Sequence, residues 1–260
     1  MKKLYYLILN MINVMDFFIK GQWIALNCKD PIIRRQKNIQ NTHRICQRFQ
    51  KSLRFEIHPF HHQRLLEMRD SSYLLVSNHI SYTDIIALSS LEKLSFITSV
   101  EMGNNPFLGS VTRLGGSLYT DRKNPLSLKE EIRKFSSAIR AGLKVVLFPE
   151  ATSTDGKKVG TFRRSLFQIA IEAKCPILPV CIKYTHIDGK TINDSNRDRV
   201  AWYGDMTFAP HFMALLGHKI RVEIHFLESI AQPHEKTRSG LSETVYTQIS
   251  ECYQNIQKSD

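Results

Sequence analysis

The chain has 260 residues, with 36 Lys and Arg against 24 Asp and Glu, a formal net charge of +12, and five cysteines. That length suits one sizeable α/β core with an appendage. The cysteines (Cys28, Cys46, Cys175, Cys181, Cys252) form no CxxC pair and are odd in number, which points away from a disulfide framework or a zinc site and toward a reducing compartment.

Leu4 to Ile19 is mostly apolar but is interrupted by Asn10, Asn13 and Asp16. On a helical wheel these three and Lys2, Lys3 and Lys20 fall within an arc of about 140°. The other face carries Leu4, Leu7, Ile8, Met11, Val14, Met15, Phe18 and Ile19. The expectation is a helix lying in a membrane interface, because a span of ~20 residues would bury Asp16 and two asparagines. A signal peptide fits poorly, since polar residues break the apolar core and no small-x-small site follows. Between Lys20 and Arg69 eleven Lys and Arg stand against three Asp and Glu, a segment suited to anionic headgroups or nucleic acid. Residues 1–56 are thus predicted to form basic, amphipathic, membrane-associating helices, and 57–260 the α/β domain. His58, His61 and His62 lack completing ligands and are assigned to a surface loop, and no metal site is expected.

From Tyr73 onward short apolar runs alternate with helical patterns. Strands are predicted at 73–77, 95–99, 117–120, 144–148, 177–184 and 219–226. Helices are predicted at 84–91, 106–114, 126–141, 165–174 and 241–257. Such alternation implies a mostly parallel sheet covered by helices on both faces, with the site at the carboxyl ends of the strands. Three segments emerge there. Asn78-His79-Ile80-Ser81-Tyr82-Thr83-Asp84 sets a carboxylate five residues after a histidine, so Asp84 can fold back on one ring nitrogen and leave the other as a base. Gly115-Gly116-Ser117-Leu118-Tyr119-Thr120-Asp121-Arg122 delivers an arginine able to grip an anion. Phe148-Pro149-Glu150-Ala151-Thr152 places a carboxylate at the mouth of the sheet, and Arg163 and Arg164 follow. A fourth segment, Pro176-Ile177-Leu178-Pro179-Val180, reads as buried scaffold.

The order and spacing of these four blocks, over roughly residues 73–184, resembles the glycerolipid acyltransferases of the lysophosphatidic acid acyltransferase type. The resemblance implies an O-acyltransferase in which His79 and Asp84 are catalytic. It associates Arg122 with the acceptor's phosphate and Glu150 with acceptor binding or site architecture, with Thr152 in the same block, and it suggests Ile177, Pro179 and Val180 as acyl-pocket lining. The third block departs from the family's Phe-Pro-Glu-Gly-Thr-Arg, with Ala151 for glycine and Ser153 for arginine. Arg163 or Arg164 is a candidate replacement for that cation. Glu150-Ala151-Thr152-Ser153-Thr154-Asp155-Gly156, with Trp202-Tyr203-Gly204-Asp205-Met206 and Pro210-His211, looks more like the bacterial lyso-ornithine-lipid acyltransferase branch.

The implied reaction is direct acyl transfer from acyl-CoA or acyl-carrier protein to the hydroxyl of a membrane lyso-lipid. The acceptor expected first is 1-acyl-glycerol-3-phosphate, with lyso-ornithine lipid or another lysophospholipid as the alternative. Amides of Asn78–Ile80 or Gly115–Gly116 are candidate oxyanion donors. No cofactor is required, no nucleic acid partner is expected, and a peripheral position on the cytoplasmic face of the membrane follows. The rival class is a non-catalytic basic protein binding membranes or nucleic acid.

Overall fold

Leu74–Ser77 is buried at every position, as a strand must be when both faces of a parallel sheet are covered. In the computed structural model, which describes residues 2–259, this strand (β2) sits at the centre of an eight-stranded sheet. On one side of β2 lies β6 (Ile177–Ile187), followed by β8 (Ile220–Phe226) and β1 (Phe55–Phe60). On the other lie β5 (Val145–Leu147), β3 (Ser95–Ser99) and β4 (Leu118–Thr120). β7 (Lys190–Thr191) pairs with the far end of β6. The pairings are parallel except those of β6 with β8 and with β7. Register sets Val76 opposite Leu147 and Ser77 opposite Val180, so β6 runs seven residues past the point where β2 ends.

The helices are α1 (Lys2–Asn27), α2 (Pro31–Ser52), α3 (Gln63–Glu67), α4 (Thr83–Leu91), α5 (Val100–Asn104), α6 (Leu108–Leu114), α7 (Leu128–Arg140), α8 (Gln168–Ala173), α9 (Phe208–Leu215) and α10 (Arg238–Ser259). In α7, Glu130 and Glu131 occupy the first turn and Arg140 the last, in accord with the helix dipole. Its buried Ile132, Phe135 and Ile139 form the stripe that packs on the core. α2 begins at Asp30, whose carboxylate accepts the Ile32 and Ile33 amides, with Pro31 in the first turn. α2 packs on α4 and sends Ile39 into the main core, and residue 56 falls inside β1.

The mostly parallel α/β architecture agrees with the sequence reading, with element ends moved by a few residues. β1 was missed, and His58 lies within it rather than in a loop. Pro59 and the mixed polarity of 55–60 hide a strand whose reason is its parallel pairing with β8. The helix expected over 165–174 divides into a 3-10 turn at Ser165–Phe167 and α8, which stops at Lys174 in a left-handed conformation.

The largest departure concerns α1. The asparagines and the aspartate of its polar arc face the protein, while Lys2, Lys3 and Lys20 are exposed. Asn10 and Asn13 are each 1% exposed. Ser52 Oγ donates to Asn10 Oδ1 at 2.7 Å and accepts from Asn13 Nδ2 at 3.2 Å. Asp16 pairs with Arg44 at 3.0 Å and with Arg48. Hydrogen bonding to Arg44, reinforced by Arg48, holds the Asp16 carboxyl below its ordinary range. Leu4, Ile8, Met11, Met15, Ile19 and Trp23 are exposed along the opposite edge. No helix among the described residues is long and apolar enough to cross a membrane.

Candidate active site

β2 ends at Ser77, and the chain turns before α4 starts at Thr83, so His79 and Asp84 sit on two sides of one tight turn. Asp84 Oδ2 accepts from His79 Nδ1 at 2.8 Å, Ile80 N at 2.7 Å and Ser81 N at 3.0 Å. Asp84 Oδ1 accepts from the Tyr184 hydroxyl at 2.7 Å, and that hydroxyl also lies 2.7 Å from Thr83 Oγ1. The carboxylate side chain is fully buried, whereas the His79 side chain is 17% exposed. A buried carboxylate with this many donors is fixed in place, and it fixes the imidazole with its proton on Nδ1. Nε2 is left as the ring's remaining proton acceptor. The Phe148 ring stacks on the imidazole at 4.1 Å and 11° between planes, closing its other degree of freedom.

Glu150 emerges from β5, the strand beside β2, and both of its oxygens are occupied. Oε1 accepts the His79 amide and Oε2 the Gly160 amide, each at 2.7 Å. Burial pushes its pKa up to about 7, against the lowering effect of those two amides. The residue therefore ties the His79 turn to the 151–160 loop. A Cβ on Gly160 would lie 2.4 Å from Glu150 Oε2, so only glycine fits there. The same loop returns to the turn through Thr154, whose N and Oγ1 both donate to the His79 carbonyl, at 2.9 and 3.1 Å.

Arg122 leaves β4 exposed and its guanidinium donates to the Ala151 carbonyl. Partial burial, and then the neighbouring charge of Arg163, lower the Arg122 pKa. Two like charges side by side form a place that favours an anion. Arg163 and Arg164 are both exposed, and it is Arg163 that interacts with Arg122. Thr152 is exposed on the loop between Glu150 and Ser153.

Ile177, Pro179 and Val180 do not join this group. They are buried in the stretch of β6 paired with β2, and Ile177 and Val180 belong to the main core. Of the expected oxyanion donors, the amides of His79, Ile80, Gly115 and Gly116 have acceptors within the protein. Ser81 is fully buried.

Sequence reading missed Tyr184, Gly160 and Thr154, which stand far from the His79 turn along the chain. A trace existed for others. Trp202, noted only as a branch marker, donates its amide to the Ile80 carbonyl at 3.0 Å, and Ser153 Oγ donates to the Trp202 carbonyl. His211, noted with the same branch, lies with Nδ1 3.0 Å from the Tyr82 hydroxyl and Nε2 3.1 Å from the Ala201 carbonyl. These residues brace the turn from outside the sheet.

Comparison with known proteins follows the same lines. The family model described as Acyltransferase matches residues 33–183. A lyso-ornithine lipid O-acyltransferase of Brucella abortus is 30% identical over 190 residues, covering 70% of this chain and 71% of that protein. The enzyme of the same name from Rhizobium meliloti is 29% identical, over 68% of this chain and 63% of its own length. A 1-acyl-sn-glycerol-3-phosphate acyltransferase of Neisseria gonorrhoeae is 32% identical over 45% of this chain and 46% of that protein. The crystal structure of the 1-acyl-sn-glycerophosphate acyltransferase PlsC from Thermotoga maritima superposes with a TM-score of 0.67 at 16% identity, covering 99% of this chain and 98% of that one, a likeness of fold. With the first three sequence blocks meeting at the carboxyl ends of the strands of such a sheet, the chain belongs to the acyltransferase family and is an acyltransferase.

Proposed function

We propose that this enzyme transfers a fatty acyl group from an acyl thioester to the free hydroxyl of a membrane lyso-lipid, with His79 as general base. The observation that carries the reading is the His79 Nδ1 to Asp84 Oδ2 bond of 2.8 Å, on a carboxylate already held by two amides and a tyrosine hydroxyl. An acceptor hydroxyl gives its proton to Nε2 as its oxygen attacks the thioester carbonyl. Asp84 stabilises the imidazolium that forms, and the thiol of the donor departs with the returned proton. Arg122 and Arg163 hold the anionic group of acceptor or donor. No cofactor enters the scheme, and acyl-CoA or acyl-carrier protein is the co-substrate.

Two acceptors remain from the sequence reading. Lyso-ornithine lipid is the better supported. Ser153 stands where the phosphate-associated arginine is expected and uses its hydroxyl on Trp202, and the relatives matching the largest shares of the chain carry that activity in their names. The 1-acyl-glycerol-3-phosphate reading rests on Arg122 and Arg163 together. Product analysis by lipid mass spectrometry, with both lyso-lipids offered in one mixture, separates them. His79→Ala is expected to lower acyl transfer about 10²–10⁴-fold with an unchanged melting profile. Retained turnover in a folded variant removes His79 as the base.

The exposed edge of α1 supports peripheral attachment to the cytoplasmic membrane surface, the apolar row entering the headgroup region. The double variant Met11→Lys, Met15→Lys is expected to abolish flotation with anionic vesicles. Undiminished flotation overturns the attachment through α1.

A further inference from the structure

A second group of reactive side chains meets on the face of β6 and β8 that α10 covers, and acyl transfer does not use it. Cys181 and His225 are cross-strand partners in the antiparallel β6–β8 pair. Glu223 precedes His225 by two residues and so shares its face, and the imidazole Nε2 lies 3.2 Å from Glu223 Oε2. The Phe60 ring lies flat on that imidazole, 4.2 Å away and 5° from parallel. α10 packs across β6 and brings Cys252 against both Cys181 and His225. Cys181 is fully buried. Cys252 is half-buried and, with His225 and Glu223, lines a cavity of about 710 Å³.

We propose that Cys252 is a site of oxidation by small hydroperoxides, with Cys181 as its resolving thiol. Hydrogen bonding from Cys181 lowers the Cys252 pKa, burial opposes it, and His225 lowers it further. For His225 burial disfavours the charge, but Cys252 and Glu223 outweigh it and the pKa rises. The two directions are the two halves of one thiolate–imidazolium pair, the form in which a cysteine attacks. The cavity wall selects the reagent: Glu228 and Glu251 join Glu223 there, among apolar Phe60, Leu227 and Ile256. That lining repels anionic disulfides and thioesters and admits a small neutral oxidant.

The chemistry balances with the hydroperoxide as two-electron oxidant. The Cys252 thiolate attacks one peroxide oxygen, the O–O bond breaks, and the departing oxygen takes a proton from the imidazolium to leave as water or alcohol. Cys181 then gives its proton to the His225 imidazole, left neutral by the first step, and its thiolate attacks the sulfenic sulfur; the S–O bond breaks and the hydroxyl takes that proton from the ring to leave as water. The product is a Cys181–Cys252 disulfide joining α10 to β6.

The test treats the full-length protein with hydrogen peroxide at neutral pH, caps the remaining thiols and maps the peptides by mass. The expected result is a Cys181–Cys252 cross-linked peptide, absent in Cys252→Ser. In Cys181→Ser a sulfenic acid on Cys252 is trapped by dimedone. Alkylation of Cys252 by iodoacetamide is expected to slow roughly tenfold or more in the double variant Cys181→Ala, His225→Gln, which lacks both groups that favour the thiolate, as it falls to the few per cent of an ordinary thiol. Alkylation of wild-type Cys252 at the rate of free cysteine overturns the proposal without any variant, as does a peroxide-treated chain whose Cys252 stays reduced.

Discussion

Two buried polar networks hold this molecule together, and they differ in one respect. Around Asp84 both carboxylate oxygens are engaged, yet the network ends at an imidazole reaching partly exposed space. Under α1, the chain Asn13–Ser52–Asn10 stays enclosed between α1 and α2, ending at the Tyr6 carbonyl within the same helix and leaving Asn13 Oδ1 buried without a partner. The first network passes its order on to a group that can react. The second passes nothing on and serves only to seat one helix on another. Burial and hydrogen bonding by themselves therefore mark no catalytic site; what distinguishes it is a terminal group left available at the surface.

The contrast is sharpest at Glu150, whose replacement by glutamine should touch both activity and stability. A glutamine amide would turn a donor toward either the His79 or the Gly160 amide, where two acceptors are needed. We expect Glu150→Gln to lower acyl transfer at least tenfold and to cost about 1–3 kcal/mol of stability. The pH dependence carries the sign. The folded-state pKa of about 7 exceeds the ordinary carboxylate value of 4.5, so the native state binds more protons across that interval. Stability of the wild type should accordingly fall as pH rises through it, and the variant should lose that slope. Chemical denaturation at about pH 5 and about pH 7.5 measures both. Equal slopes in the two proteins would remove Glu150 as a titrating brace.

Ser52→Ala probes the enclosed network. It leaves Asn10 Oδ1 and Asn13 Nδ2 without the partner they share, at an expected cost of about 1–3 kcal/mol, while kcat in detergent solution stays at the wild-type level. A large fall in kcat with unchanged stability would show that the two networks are coupled after all. The smallest effect is expected at Ala151, which adopts a φ of 63° where the family carries glycine. Ala151→Gly should gain about 1 kcal/mol by relieving the left-handed strain, partly offset by chain entropy, and a thermal melt reads it.

The same contrast explains what the chain disclosed on reading. β2 and β5 were legible because central parallel strands are short, mostly apolar runs, and the His79–Asp84 pair because both members lie in one turn. Tyr184 and Gly160 were not, since their contact with the turn exists only after β6 overruns β2 and the loop after β5 folds back. For α1 the wheel gave the phase of the helix correctly but not which side is wet. Two asparagines and an aspartate suit solvent as well as they suit Ser52, Arg44 and Arg48, and only the packing of α2 decides between them.

That seating has a geometric corollary. Asn10, Asn13 and Asp16 grip α2 from one side over nearly two turns, and Gly21 brings the helix within 3.2 Å of Leu114, measured from where its Cβ would stand. A roll of α1 by even one residue, about 100°, would break all of these at once. The azimuth of the bare aliphatic row is consequently locked to the body of the enzyme, and the approach angle of any surface it rests on is dictated by the protein rather than by that surface.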